Sequence, residues 1–314
     1  MSDIPFLSAE HLEAIHSYPA LIAVLRNAFA NKKVAVPLRS HHHYGEVNTL
    51  LMMPSWQEGL DMGVKLVTVT PENRLKNLPS IQGLMIYLDI ITGLPLAIMD
   101  AATLTKKRTA AASALASSYL SQESSSSLLQ IGTGVLAPEL ICAHCSVRPI
   151  REVYIWGRDP RKAEELAKSM VINNVQINSV DRLEEITPYC DIISCATMAQ
   201  EPILKRQHLR PGHHLDLVGS YKPAMREVDD EVIKASSVFV DTLAGATQES
   251  GDLLQPLRRG VIDLQDIKGE LWELCADQIK GRTSNTEITL FKSVGYALED
   301  LVAARFYFEN RQID

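Results

Sequence analysis

The chain has 314 residues, of which 46% are hydrophobic and 22% charged, and a formal net charge of −7. That length suits two domains better than one core, and the composition excludes a disordered chain. Mild acidity without any basic run, and no apolar stretch near the ~18 residues that a bilayer needs, argue against a nucleic-acid surface and a membrane span, leaving a small-molecule ligand. The first residues, "MSDIPFLSAEHLEAIHSYP", lack a basic-then-apolar leader pattern, so a cytoplasmic protein is expected. Five cysteines, an odd number, fit reduced thiols better than a disulfide framework.

In chain order, residues 8–31 pattern as an amphipathic helix pair, with Ser8 as N-cap and Glu10 and Glu13 in the first turns. The runs "VAVPLRSHHHY", "TLLMMPSW" and "MGVKLVTVTP" follow as short strands of a small sheet. His41, His42 and His43 lack a carboxylate or cysteine at ligand spacing, which favours a polar strand lining a pocket over a metal site. "LMIYLDIITGLPLAIMD" predicts a hairpin turning around Thr92 and Gly93. The alanine-rich stretch from Ala101 to Tyr119 predicts a helix that another backbone can approach closely, and "SQESSSS" then reads as the loop between domains.

After it, strand and helix patterns alternate: "SLLQIG", a helix to about His144, "EVYIWG", a helix over 160–170, "VQINSV", a short helix, "DIISCAT", "HHLDLVG" and "VFVDT". Such alternation predicts a mostly parallel sheet with helices on both faces. Cys142 and Cys145 form a C-x-x-C in the first of these helices, but with no second pair they read as small core side chains. "TEITLFKSVGYALEDLVAARFYFENR" predicts a long closing helix from about Leu290, its apolar positions recurring every three to four residues.

The chemistry concentrates in "LLQIGTGVLAPE". A first glycine that permits the tight turn, a second that lets backbone approach a pyrophosphate and a third small residue for helix packing are filled by Gly132, Gly134 and Ala137. With a strand before and a helix after, the turn predicts a dinucleotide site whose phosphates would lie on helix-terminal amides. The following strand ends at Gly157 and Arg158 rather than at the acid that would accept from an NAD ribose, so NADPH is the expected cofactor, with NADH possible. Asp159 is the competing candidate, an acid one residue further on. Arg39, Lys65 and Arg108 each stand in an apolar or small-residue context, where a cation is either solvated or paired, or else waits for a carboxylate.

The segments "GVKLVTVTPEN", "TGLPLAIMDAATLTKKRTAAASALAS", "IGTGVLAPE", "CATMAQEPIL", "DLVGSYKPAMREVDD" and "EITLFKSVGYALEDLVAA" together resemble the ornithine cyclodeaminase/mu-crystallin family over nearly the whole chain. The resemblance implies an α/β protein in which a Rossmann-type doubly wound nucleotide domain, residues 122–290, is inserted into an α+β substrate-binding and dimerisation domain, residues 1–121 plus 291–314, in a homodimer. By motif position it implies that Arg39, Lys65 and Arg108 bind substrate, with Lys65 catalytic in orienting the carboxylate or imine; the cysteine and histidine spacings leave no metal expected. It also implies that Thr109, Gly132, Gly134, Val135, Leu136, Arg158, Ala196, Thr197, Met198, Val218 and Ser293 surround the cofactor.

Ornithine cyclodeaminases carry an Asp in a "VGxD" segment, whereas this chain reads Val218-Gly219-Ser220-Tyr221, with Tyr221 as a pocket wall. The resemblance therefore implies the reductase branch, in which a cyclic ketimine carboxylate such as pyrroline-2-carboxylate or piperideine-2-carboxylate is reduced by NAD(P)H to L-proline or L-pipecolate. Ornithine cyclodeamination, an alanine-dehydrogenase-like amino acid dehydrogenase and a non-catalytic NADPH binder are the alternatives.

Overall fold

The structure, a computed structural model, describes residues 4–31 and 33–312. These fall into two compact units: one takes the chain up to Arg108 and again from Tyr296, and the other is Thr109–Gly295.

In the first unit the strands are β1 (Phe6–Leu7), β2 (Val34–Ala35), β3 (Ser40–Tyr44), β4 (Asn48–Gln57), β5 (Asp61–Val69), β6 (Ile81–Leu88) and β7 (Pro95–Asp100). They form one mixed sheet in the order β1-β7-β6-β5-β4-β2, with β3 also paired to β4. The expected helix pair is α1 (Ala9–Ile15), capped by the Ser8 side chain, and α2 (Tyr18–Asn31). The expected hairpin is β6–β7, and Gly93 in its turn has φ +70, a conformation that disfavours other residues. Strand alternation divides the sheet into two faces. Met53, Lys65, Met85 and Met99 are buried on one of them. The His41–His43 run lies on β3, which pairs with β4 alone, and all three residues are exposed in the single chain.

A long helix, α3 (Ala101–Leu120), contains the division between the units, which falls between Arg108 and Thr109. The serine-rich loop over 121–126 thus lies inside the second unit rather than at its border. That unit contains β8 (Ser127–Ile131), α4 (Ala137–Val147), β9 (Glu152–Trp156), α5 (Pro160–Ser169), β10 (Gln176–Ser179), α6 (Leu183–Ile186), β11 (Ile192–Cys195) and β12 (His214–Leu217). It continues with α7 (Asp230–Lys234), β13 (Ser237–Val240), α8 (Leu243–Glu249), α9 (Gly251–Arg258), β14 (Ile267–Glu270), α10 (Leu271–Cys275) and β15 (Thr289–Lys292).

Its sheet runs β10-β9-β8-β11-β12-β15-β13-β14, and every pairing is parallel. The first five strands reproduce the 3-2-1-4-5 part of a doubly wound dinucleotide fold, with the switch point between β8 and β11, and the sixth place is taken by β15, the last strand in sequence. Strands β8, β11, β12 and β15 are buried at every position, as a parallel sheet covered on both faces requires.

The closing helix is shorter than its apolar spacing suggests. Residues 289–292 are strand β15, inserted between β12 and β13, and α11 (Ala297–Glu309) begins after Gly295, whose φ of +87 breaks the run. β-branched and aromatic residues buried on both sides satisfy a central strand as well as a helix, and the sheet takes them. The inserted segment is accordingly longer at both ends than 122–290. α11 returns to the first unit and packs on α2, β4, β5 and β6.

Candidate active site

In the first unit, period-2 alternation on β5 turns Lys65 to the buried face, between Met53 and Met85 of the neighbouring strands. The Lys65 ammonium donates to Asp300 Oδ1 at 2.8 Å and to Thr105 Oγ1 at 3.3 Å, and its Nζ lies 2.8 Å from Asp300 Oδ2. Arg108 on α3 donates from Nε to the same Asp300 Oδ1 at 2.8 Å and from Nη1 to Glu299 Oε2 at 2.6 Å. All four side chains are buried, so each charge needs these partners to offset the loss of water.

Burial pushes the Lys65 amine down to about 8. Asp300 opposes that shift, and the charges of Arg108 and Arg39 add to it. Arg39, half-buried just before β3, is therefore close enough to act on Lys65 electrostatically. With Lys65 protonated, the charges of Arg39, Lys65 and Arg108 act on one another beside the Asp300 carboxylate, a cationic setting that attracts an anionic ligand. The Nη2 edge of Arg108 takes no part in these pairs, and a guanidinium edge is suited to a carboxylate.

Neither Glu299 nor Asp300 is singled out by the sequence reading. The available signal is two adjacent acids in a helix that is otherwise apolar on all sides over Ala297–Ala304.

In the second unit the expected cofactor residues gather at one edge. Gly132, Arg158, Ala196, Thr197, Met198, Val218 and Ser293 all follow the C-terminal ends of β8, β9, β11, β12 or β15, the edge at which doubly wound sheets take their ligands. Thr109, buried on α3, is not at a strand end. Gly132 has φ +108, and a Cβ there would come 2.5 Å from the Ala196 carbonyl oxygen, so the turn admits only glycine. At Gly134 a Cβ would meet nothing within 4 Å, which is an open cradle of the kind a pyrophosphate fills. Val135 is exposed beside it, and the N-cap Leu136 offers no side-chain hydrogen bond to α4.

Asp159 is committed elsewhere. It caps α5 by accepting from the Arg161 N–H at 3.2 Å and pairs with the Arg161 guanidinium at 3.2 Å. Arg158 is exposed. Ser293 donates to Asp241 Oδ2 at 3.1 Å, and the same oxygen accepts the N–H groups of Val294 and Gly295 at 2.7 Å. The Asp241 carboxylate thereby shapes the turn after β15.

At the segment expected to differ from cyclodeaminases, Ser220 is buried and donates to the Met225 carbonyl at 2.8 Å, while Tyr221 is 38% exposed with the Lys222 ammonium over its ring. Neither is a carboxylate. Cys142 and Cys145 are free thiols on α4, and burial pushes Cys145 up to about 12, out of the range of a redox thiolate. Among the described residues, no group of three His, Cys, Asp or Glu could hold a metal ion, and no helix is long and apolar enough to cross a membrane.

A model of the ornithine cyclodeaminase/mu-crystallin family matches residues 6–313. The chain is 36% identical over 315 residues to Delta(1)-pyrroline-2-carboxylate reductase from Colwellia psychrerythraea, covering 96% of this chain and 98% of that one. It superposes with a TM-score of 0.92 on the Thermococcus litoralis Delta(1)-pyrroline-2-carboxylate reductase in complex with NADH and L-proline, at 37% identity over 98% of this chain and 97% of the other. An archaeal alanine dehydrogenase dimer with bound NAD superposes with a TM-score of 0.91 at 30% identity, over 98% and 95% of the two chains.

Proposed function

Because this chain belongs to the ornithine cyclodeaminase/mu-crystallin family, we propose that it reduces a cyclic ketimine carboxylate to a cyclic L-amino acid with a nicotinamide cofactor. Pyrroline-2-carboxylate, giving L-proline, and piperideine-2-carboxylate, giving L-pipecolate, are the substrates that the site suits. The observation that carries this reading is the buried Lys65–Asp300–Arg108 cluster, which holds cations ready for one carboxylate, together with a Val218–Tyr221 segment that offers no acid for deamination.

The cofactor supplies the hydride. Gly132, Gly134 and the first amides of α4 would hold its pyrophosphate, and Arg158 its ribose end. Arg108 and Arg39 grip the substrate carboxylate and Lys65 orients it. A protonated C=N carbon is already electrophilic, so positioning is the larger part of the task.

NADPH is the preferred donor in this reading, since Asp159 is occupied with Arg161 and leaves Arg158 to meet a 2′-phosphate. The deciding assay follows NADPH and NADH oxidation with pyrroline-2-carboxylate and piperideine-2-carboxylate, without ammonia. Rapid turnover, faster with NADPH, is the expected result. Turnover only of an open-chain 2-oxo acid and only with ammonia would favour an amino acid dehydrogenase, and proline formed from ornithine with catalytic NAD would overturn the reading.

A pH dependence follows from Lys65. Its amine is charged below about pH 8 and neutral above it, so a carboxylate ligand binds a cation at pH 7 and loses it as pH rises. The inhibition constant of L-proline should therefore rise severalfold between pH 7 and 9.5 in the wild type and stay flat in Lys65→Arg. A flat wild-type profile would remove Lys65 from carboxylate binding.

The same reading includes a homodimer. The sheet face opposite Lys65 carries Met52, Trp56, Leu66, Leu84 and Ile86, all apolar, and Met52, Trp56 and Leu84 are exposed. Such a continuous apolar face calls for a cover, and a second copy supplies a matching one. Light scattering should give twice the 34.8 kDa chain mass.

A further inference from the structure

A second buried ionic cluster lies within Thr109–Gly295, and no step of the proposed reaction uses it. Oε1 of Glu227 accepts the N–H of Thr197 at 2.8 Å and its hydroxyl at 3.0 Å. Oε2 accepts the N–H of Gly219 at 2.8 Å and of Ser220 at 3.2 Å. One carboxylate thus takes four donors from two loops, the first following β11 and the second following β12.

The carboxylate is itself anchored. Asp252 Oδ1 accepts the N–H of Glu227 at 2.7 Å and of Val228 at 3.3 Å, and Lys292 Nζ lies 3.8 Å from Glu227 Oε2 and 3.4 Å from Asp252 Oδ2. Glu227, Asp252 and Lys292 are all fully buried. Three buried charges are a poor way to gain stability, because apolar side chains of similar volume do as well or better. What charges add is direction: each hydrogen bond fixes where a backbone N–H points. The two loops also touch, since a Cβ at Gly219 would overlap the backbone N and O of Thr197 and come 2.5 Å from Glu227 Oε1.

We propose that Glu227 is a positioning residue for the nicotinamide cofactor, setting the spacing of the 196–198 and 218–220 loops at the edge where the cofactor lies. The inference rests on the cofactor reading given above. It extends to pH. Burial raises the Glu227 carboxyl to about 7, with Lys292 lowering it and Asp252 raising it, and the Cys195 thiol facing the same charges. Protonation below pH 7 places a hydrogen among groups that are themselves donors, and the tether loosens.

The test is Glu227→Gln, which keeps the shape and one acceptor oxygen but turns an amide NH2 toward N–H donors. Nucleotide dissociation constants are read from NADPH and NADH fluorescence, alongside steady-state rates from pH 5.5 to 8.5. The variant should show about a tenfold weaker nucleotide affinity, a kcat at least tenfold lower, an imine KM within twofold of wild type and no acidic limb below pH 7. Wild-type binding and turnover with an unaltered E227Q profile would overturn this inference alone. A wild type that binds neither nucleotide would overturn both readings. Should E227Q fail to fold, Thr197→Val decides, because it removes one hydroxyl bond and leaves the backbone donor. A threefold weaker affinity at an unchanged melting temperature is expected of it, and no change overturns the proposal.

Discussion

Asp300→Asn should lower kcat/KM for the imine by at least about a hundredfold at pH 7.5 and reduce the unfolding midpoint by several degrees. Asp300 Oδ1 accepts from both Lys65 and Arg108 at 2.8 Å, and all three side chains are buried. Removing one partner of a buried ion pair costs about 3–5 kcal/mol, because the remaining charge is stranded.

Here the stranded cation has an escape. The Lys65 amine stays near 8 only because Asp300 opposes the effect of burial, so in the variant it gives up its proton at neutral pH. Deprotonation recovers part of the lost stability and removes the charge that the substrate carboxylate needs, so activity suffers more than folding. The sign of the pH effect follows: the variant's KM should improve as pH falls toward 6 and Lys65 recharges. Steady-state kinetics from pH 6 to 8.5 with a thermal melt measure both parts, and an unchanged KM at pH 7.5 would remove Asp300 from the site.

The second large effect concerns two glycines that look alike in sequence and differ in space. Gly219→Ala places a methyl group inside the backbone of Thr197, which cannot move cheaply, so the loops must part and the Glu227 tether break. Overpacking of this kind costs about 1–3 kcal/mol or more, and nucleotide affinity should fall at least tenfold. Gly134→Ala has open space around its Cβ, so the free protein should melt at the wild-type temperature while nucleotide affinity falls just as far. Paired melts and nucleotide titrations separate the two cases. If Gly134→Ala binds nucleotide normally, the pyrophosphate does not lie on that turn.

The contrast between those glycines shows what a linear chain displays. The Gly132–Gly134 turn, the hairpin at Gly93 and the Ser8 cap are legible because each signal lies within a few residues of the structure it makes. Lys65 and Arg108 stand out as cations among apolar and small neighbours. Asp300 does not, because its partner Lys65 is 235 positions away and an acid pair on a helix ordinarily reads as a solvated face. Glu227 is hidden in "MREVDD", which looks like an exposed acidic run although the residue is fully buried. Residues 289–292 mislead for another reason: apolar spacing serves a buried strand and a helix equally, and only Gly295 marks the break.

The position of β15 bears on how the protein is made. During synthesis, strands β8 to β12 emerge early and in order, and β13 and β14 pair with each other, but neither group can reach its final neighbour until residues 289–292 slot between them. Lys65 and Arg108 likewise wait for residues 299 and 300 to bring their counter-charges. Both units therefore complete only once a single late stretch, from β15 to α11, has been made. Until that stretch is free of the ribosome, the nascent chain carries two open sheet edges, the kind of surface that invites mispairing, and two uncompensated cations.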